Sequence, residues 1–166
     1  MEETPVIRDM KISNVAHSWP YYLREKTGIG EAYAFMIFPR TSNLDISVYI
    51  QVINDIAFFM NLANDILSYV FQSFPYGSMN DTWSSRFYKE FLAGETNNYI
   101  SNRAHVTGKS LSDTLQDTIN DTLAAYTRIT KVLESTDASI AWKHFVHGNL
   151  YVCLSFPFDL LIILFL

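Results

Sequence analysis

One stretch of the sequence limits the possible folds more than any other. Residues 44–67 place apolar side chains on nearly every side of a helix, and these side chains recur at intervals of three and four. That period predicts a helix and not a strand. A helix that is apolar all round must be buried among other helices. The sequence therefore predicts an all-α fold, with this segment as the core of a helical bundle.

Further helical segments lie on both sides of this core segment. The first is loosened by Gly28 and Gly30 and stops at Pro39, and Gly108 breaks the chain between two later helices. Ser110 is a predicted N-cap, and either Thr136 or Asp137 begins the last helix. The predicted helices are 18–38, 44–67, 86–106, 110–133 and 136–152, with a loop rich in Ser, Pro, Gly and Asn at 73–86.

Composition indicates one globular domain. The chain has 166 residues, of which 49% are apolar and 17% charged, and its formal net charge of −5 argues against a nucleic-acid partner. The single cysteine, Cys153, cannot form an intramolecular disulfide, and the N-terminus shows no secretory signal, so we expect a cytoplasmic protein. Residues 1–155 form the predicted domain, and 156–166 are a hydrophobic tail that is too short to span a membrane by itself. Extended back to Leu150, the tail reaches a marginal length for a membrane anchor, but Asp159 interrupts it, so we favour an artefactual or aggregation-prone tail.

Two separated pieces of sequence, NDILS and FYKE, indicate a metal site. Asn64 and Ser68 lie one helical turn apart, and if residues 69–86 were deleted, Glu90 would follow at the next turn on the same face. Amide, hydroxyl and carboxylate oxygens suit Mg²⁺, which proteins commonly share with a substrate phosphate. Such a site needs basic side chains to contact the anion, and Lys89 is a candidate.

Residues 69–86 are therefore predicted to be an insert. In an uninterrupted helix these residues would carry Glu90 about 27 Å along the axis, too far to share a metal ion with Asn64. Looping them out would cost only about 2.6 kcal/mol beyond a constant term. Because deletion restores the pattern without a gap, we interpret the insert as translated intron, which a transcript lacking these codons would test.

With its flanking sequence, this motif resembles a known family. NDILS and FYKE, the upstream stretch YYLREKTGIGEAYAFMIFPR and the downstream stretch NNYISNRAHVTGKSLSDTLQDTINDTLAAY are similar to those of fungal sesquiterpene synthases of the trichodiene synthase type, over roughly residues 15–155. The resemblance implies part of a class I terpenoid synthase helical bundle. It also implies that Asn64, Ser68 and Glu90 bind Mg²⁺, and that Arg24 and Lys89 contact the substrate diphosphate.

The implied activity is the Mg²⁺-dependent ionisation and cyclisation of farnesyl diphosphate, with release of diphosphate. The sequence departs from the family pattern in lacking the aspartate-rich first metal motif and a late Arg-Tyr pair, as if truncated at both ends. An alternative is therefore an inactive helical fragment that binds a homologue or a membrane surface. We expect an isoprenyl diphosphate as the ligand and leave a homodimer open.

Each of these residues also has an ordinary structural explanation. Asn64 and Ser68 are equally polar positions on a buried helix, and Arg24 fits a surface ion pair. Lys89, beside a glutamate, fits a solvated helix. Asp65 either supports the neighbouring ligands or is simply exposed.

Three histidines need no metal to explain them. His144 and His147 are spaced like transition-metal ligands, but the sequence offers no third ligand, so we favour ordinary packing. His105, near the end of a helix, is interpreted as a polar cap.

Overall fold

The computed structural model describes residues 5–26, 29–39, 44–73 and 98–154. None of these residues lies in a β-strand, which confirms the predicted all-α class. The described helices are α1 (Pro5–Arg8), α2 (Trp19–Glu25), α3 (Ile29–Ile37), α4 (Ile46–Tyr49), α5 (Ile53–Ser73), α6 (Tyr99–Thr107), α7 (Leu111–Leu133) and α8 (Ala138–Leu154), with a 3-10 turn at Ile50–Val52.

Helix α5 is the centre of the bundle. It packs mainly between α3 and α7, and α8 contacts both α7 and α3. The core residues are Ala34, Ile37 and Phe38 from α3 and its end, Tyr49, Val52, Ile53, Ile56, Phe59 and Met60 from the central segment, Ala125, Ile129 and Leu133 from α7, and Ala138, Trp142 and Val146 from α8. The predicted core segment is thus confirmed as the main source of buried apolar surface.

The central segment is not one uniform helix, however. Asp45 caps α4 by accepting a hydrogen bond from the backbone N–H of Ser47 at 2.9 Å, and the backbone then tightens into the 3-10 turn before α5 begins. The turn changes which side chains face inward, so Ile46 and Ile50 are exposed. The prediction that the segment 44–67 is buried on all sides was therefore wrong at the N-terminal end of that segment.

Ile46–Leu67 is long and apolar enough to cross a membrane, judged by length and composition alone. Its buried members pack against α3, α7 and α8, as those of a core helix do. The predicted tail, 156–166, lies outside the described residues.

Local signals placed several helix ends correctly. Gly108 ends α6 with a positive φ of 66°, which favours glycine, and the Ser110 hydroxyl caps α7 by accepting from the Asp113 N–H at 3.1 Å. The predicted helix 86–106 does not continue through residue 98, and its first part, 86–97, lies outside the described residues. Asn98 is extended, with φ −108° and ψ 164°, and its side chain caps α6 by accepting from the Ser101 N–H at 2.8 Å.

Candidate functional site

The NDILS segment lies in the second half of α5, which continues past it to Ser73. The Asn64 side chain is exposed, and Ser68 follows one turn later on the same continuous helix. The first five residues of the predicted insert, 69–73, thus extend this helix, so residue 72 occupies the backbone position two turns after Asn64. Glu90 and Lys89 lie outside the described residues, so the complete ligand set stays a prediction.

Arg24 lies beside this segment. It belongs to α2 and is buried, and its Nε donates a hydrogen bond to Asp65 Oδ2 on α5 at 3.1 Å. The two residues are 41 positions apart in the chain. The ion pair envisaged as the ordinary explanation for Arg24 does form, but it is buried and not at the surface. It also answers the question about Asp65, which is half-buried and pairs with Arg24.

The register between α2 and α5 follows from contacts one turn before this ion pair. Tyr21 packs on Phe58 with ring centroids 5.0 Å apart, and its phenol lies close enough to the Asn61 side chain for that group to influence the pKa of Tyr21. Tyr21 and Arg24 are three residues apart on α2, while Asn61 and Asp65 are four apart on α5, so each pair shares a helix face. The two helices therefore meet in the same order along both sequences, which brings Arg24 to the NDILS turn.

Burial around these contacts changes the chemistry of Tyr21. Partial burial of the phenol, together with the nearby Glu25 carboxylate, raises the pKa of Tyr21 to about 12. Tyr21 is therefore neutral throughout the physiological range. It acts as a packing group against Phe58 and not as a base.

A second polar cluster joins α6 to α7, and the sequence reasoning missed it. Arg103 donates to Tyr99 Oη at 3.4 Å and to Thr118 Oγ1 at 3.3 Å, and it forms an ion pair with Asp121 at 2.7 Å. Burial raises the pKa of Tyr99, and the Asp65 charge adds to that increase, so this cluster is within electrostatic reach of the Arg24–Asp65 pair. The spacing of Tyr99 and Arg103, one helical turn apart in NNYISNR, was the available signal.

The described histidines form no metal site. A ring nitrogen of His105 lies 3.0 Å from the Ile12 carbonyl oxygen, so this side chain ties the N-terminal segment to α6 instead of capping its own helix. His144 and His147 are both exposed on α8. Among the described residues, no group of three or more His, Cys, Asp or Glu side chains could hold a metal ion.

The arrangement offers two kinds of chemistry side by side. Arg24 supplies a planar, permanently charged donor group that suits phosphate oxygens, and Asn64 presents an exposed amide one residue from Asp65. The oxygen atoms of the Asn64 amide and the neighbouring Asp65 carboxylate suit a hard cation such as Mg²⁺ better than a soft transition metal.

Known proteins resemble this chain over most of its length. The sequence model of the trichodiene synthase (TRI5) family matches residues 13–156. The chain is 39% identical to monoterpene synthase 25 of Postia placenta over 139 residues, which cover 82% of the chain and 36% of that protein. It is 32% identical to terpene synthase BipA of Cochliobolus sativus over 154 residues, or 91% of the chain and 42% of that protein.

A third relative is longiborneol synthase CLM1 of Gibberella zeae, 34% identical over 131 residues, or 78% of the chain and 33% of that protein. The chain thus spans 36% and 42% of the first two relatives. Because the family match covers most of the 166 residues and includes α2, α5, α6 and α7, the chain belongs to the trichodiene synthase family of terpene synthases.

Proposed function

We propose that this chain takes part in the Mg²⁺-dependent ionisation and cyclisation of farnesyl diphosphate, with release of diphosphate. The observation that carries the proposal is the position of Arg24, which is buried on α2 with its guanidinium bonded to Asp65 in the NDILS segment of α5. A buried cation next to a segment with metal-binding oxygens is the arrangement that a diphosphate group requires.

In this proposal Arg24 binds the leaving diphosphate. Water screens the charge of Arg24 less than that of an exposed arginine such as Arg128, because the surroundings of Arg24 exclude most water, while the Asp65 carboxylate offsets part of that charge. Lys89 adds a second positive charge to the same anion. Together these groups stabilise the charge that develops on the diphosphate as the carbon–oxygen bond breaks.

Asn64, Ser68 and Glu90 would hold Mg²⁺ in this site. Their donor atoms are all hard oxygens, which fits the cation, and Asn64 and Ser68 follow each other by one turn on α5. When bound, Mg²⁺ supplies charge neutralisation for the departing diphosphate. The chain itself orients that leaving group through Arg24 and keeps it close to the NDILS segment.

The choice of farnesyl diphosphate rests on the resemblance to sesquiterpene synthases. The names of the relatives include both a monoterpene synthase and a longiborneol synthase, so the length of the isoprenyl chain needs its own test. The experiment incubates the purified chain with Mg²⁺ and either farnesyl or geranyl diphosphate, and measures volatile hydrocarbon and released diphosphate. Terpene from farnesyl diphosphate that is lost in Arg24→Met would support the proposal.

If protein that circular dichroism shows to be folded produces no terpene from either substrate, this result would count against the proposed function. Arg128→Met is the matched control, because Arg128 is exposed and pairs with Asp55 in the first turn of the same α5 helix. This control should keep the activity of the unmodified chain.

A second candidate function is binding to a homologous chain. It is supported by large apolar side chains that are exposed on α3, on α4 and in the adjoining turn, namely Tyr33, Phe35, Met36, Ile46 and Ile50. Sedimentation of the chain alone and mixed with a full-length relative would test this function. A complex that forms without any terpene production would favour it over catalysis.

A further inference from the structure

We propose that Asp65 is a positioning residue, whose carboxylate holds the Arg24 guanidinium in the orientation that receives diphosphate. This inference rests on the proposed function and adds a residue that is neither a metal ligand nor a diphosphate contact in that proposal.

The geometry of the contact carries the argument. Asp65 Oδ2 accepts from Arg24 Nε at 3.1 Å, and the side chains are only 15% and 10% exposed, respectively. An arginine side chain has five N–H donors in one plane, so a bond to Nε fixes the orientation of that plane. A long side chain held in this way loses less conformational freedom when it binds an anion, which strengthens binding.

A second ion pair on α5 shows what an ordinary contact looks like. Arg128 of α7 donates from two nitrogens to Asp55 Oδ1, at 2.6 and 3.1 Å, but its side chain is 52% exposed and that of Asp55 is 31% exposed. Exposed pairs of this kind contribute little to stability. The buried pair lies ten residues further along the same helix, next to Asn64.

Asn64 and Asp65 are neighbours in the chain, so their side chains project about 100° apart around α5. Asn64 is exposed, whereas Asp65 turns toward α2 and lies within electrostatic reach of Tyr99 on α6. This difference assigns the two residues separate tasks. Asn64 is available to a metal ion, and Asp65 links α2 to α5 at the point where the anion would bind.

The proposal makes a prediction that is opposite in sign to simple electrostatics. Removal of a negative charge beside an anion site should strengthen anion binding if charge were all that mattered. A positioning role predicts the reverse, because Asp65→Asn would leave the Arg24 guanidinium without a charged acceptor to orient it. We therefore expect Asp65→Asn to weaken the binding of inorganic diphosphate by roughly tenfold or more.

The test measures inorganic diphosphate binding by calorimetry at a saturating Mg²⁺ concentration. The variants are Asp65→Asn, Asp65→Glu, Arg24→Met and the double variant Arg24→Met/Asp65→Asn, with Asp55→Asn as the control that removes the same charge from the exposed pair. Asp65→Glu should recover part of the affinity. In the Arg24→Met background, Asp65→Asn should leave the affinity unchanged or raise it, because no guanidinium remains to be positioned.

Equal or tighter binding by Asp65→Asn in the presence of Arg24 would overturn the proposal, as would an equal loss in Asp55→Asn. If the unmodified chain binds no diphosphate, the proposed function itself fails and this proposal fails with it. A nitrogen-15 NMR spectrum separates failure of diphosphate binding from failure of the Arg24–Asp65 pairing. The Arg24 Nε–H should exchange slowly with water in the unmodified chain, and its signal should be lost in Asp65→Asn. Both results report the pairing without any ligand. Should Asp65→Asn not fold, Asp65→Ser takes its place in each of these comparisons, with the same expected and contradicting results.

Discussion

Gly30 of α3 lies against Asn61 of α5 so closely that a Cβ atom at residue 30 would be 2.6 Å from Asn61 Oδ1 and 2.7 Å from the Ala57 carbonyl oxygen. A side chain can rotate away from such an approach, but a helical carbonyl cannot. The absence of a side chain at Gly30 therefore sets the distance between α3 and α5.

Gly30→Ala should destabilise the protein for this reason. We expect a loss of about 1–3 kcal/mol in the free energy of unfolding, measured by urea titration and circular dichroism. Gly148→Ala is the matched control, because Gly148 also lies within a helix and a Cβ there would meet nothing within 4 Å. The control should be neutral or more stable by up to about 1 kcal/mol. Equal effects of the two substitutions would contradict the close approach of α3 and α5.

Thr130→Val should also destabilise the protein. The Trp142 Nε1–H donates to Thr130 Oγ1 at 3.1 Å, and Trp142 is fully buried with its ring edge against Phe59. Replacing the hydroxyl by a methyl group would leave a buried donor without its acceptor, at a cost of about 1–3 kcal/mol. Thr127→Val serves as the control, because the exposed Thr127 hydroxyl bonds only to the backbone of its own helix. A stability loss no greater than that of the control would argue against this buried hydrogen bond.

The stability of the protein should fall at high pH partly through Tyr21. Because burial raises the pKa of Tyr21 to about 12, the folded protein keeps this proton between pH 10 and 12 while the unfolded chain releases it. The contribution to stability is therefore complete below pH 10 and is lost as the pH rises through 12. Tyr21→Phe should show a shallower decline from pH 9.5 to 11.5 in urea titrations. Parallel curves for the two proteins would show that Tyr21 titrates normally.

The two ion pairs of α5 should differ in their contribution to stability. Asp55→Asn should cost at most about 1 kcal/mol and lose even that effect in high salt. Asp65→Asn breaks the buried pair with Arg24 and should cost about 3 kcal/mol with little dependence on salt. Thermal unfolding at low and high ionic strength would separate them, and similar salt dependence for both variants would contradict the burial of the Arg24–Asp65 pair.

The residues that the sequence predicted correctly are those whose signals are local. Gly108 ends α6 and Ser110 begins α7, each through hydrogen bonds to residues a few positions away. The apolar period of the central segment is likewise visible in the sequence without any tertiary information. The Asn98 cap was missed, although an asparagine preceding a helix is a usual cap. The exposure of Ile46 depends on the 3-10 turn, which composition does not reveal.

The candidate site divides in the same way. Arg24, Asn64 and Ser68 were selected from motifs and resemblance, and the described structure brings Arg24 to the segment that contains the other two. The role of Asp65 could not be derived from the sequence, because its partner is 41 residues away and tertiary contacts such as the packing of Tyr21 on Phe58 set the register between them. Long-range contacts of this kind depend on the whole bundle and not on any short pattern.

The most direct test of the account is a titration of the chain with inorganic diphosphate in the presence and absence of Mg²⁺. We predict binding that requires Mg²⁺ and is lost or strongly weakened in both Arg24→Met and Asn64→Ala, while Arg128→Met binds as the unmodified chain does. Diphosphate affinity that is the same with and without Mg²⁺, or that survives both substitutions, would contradict the claim that Arg24 and the NDILS segment form one site.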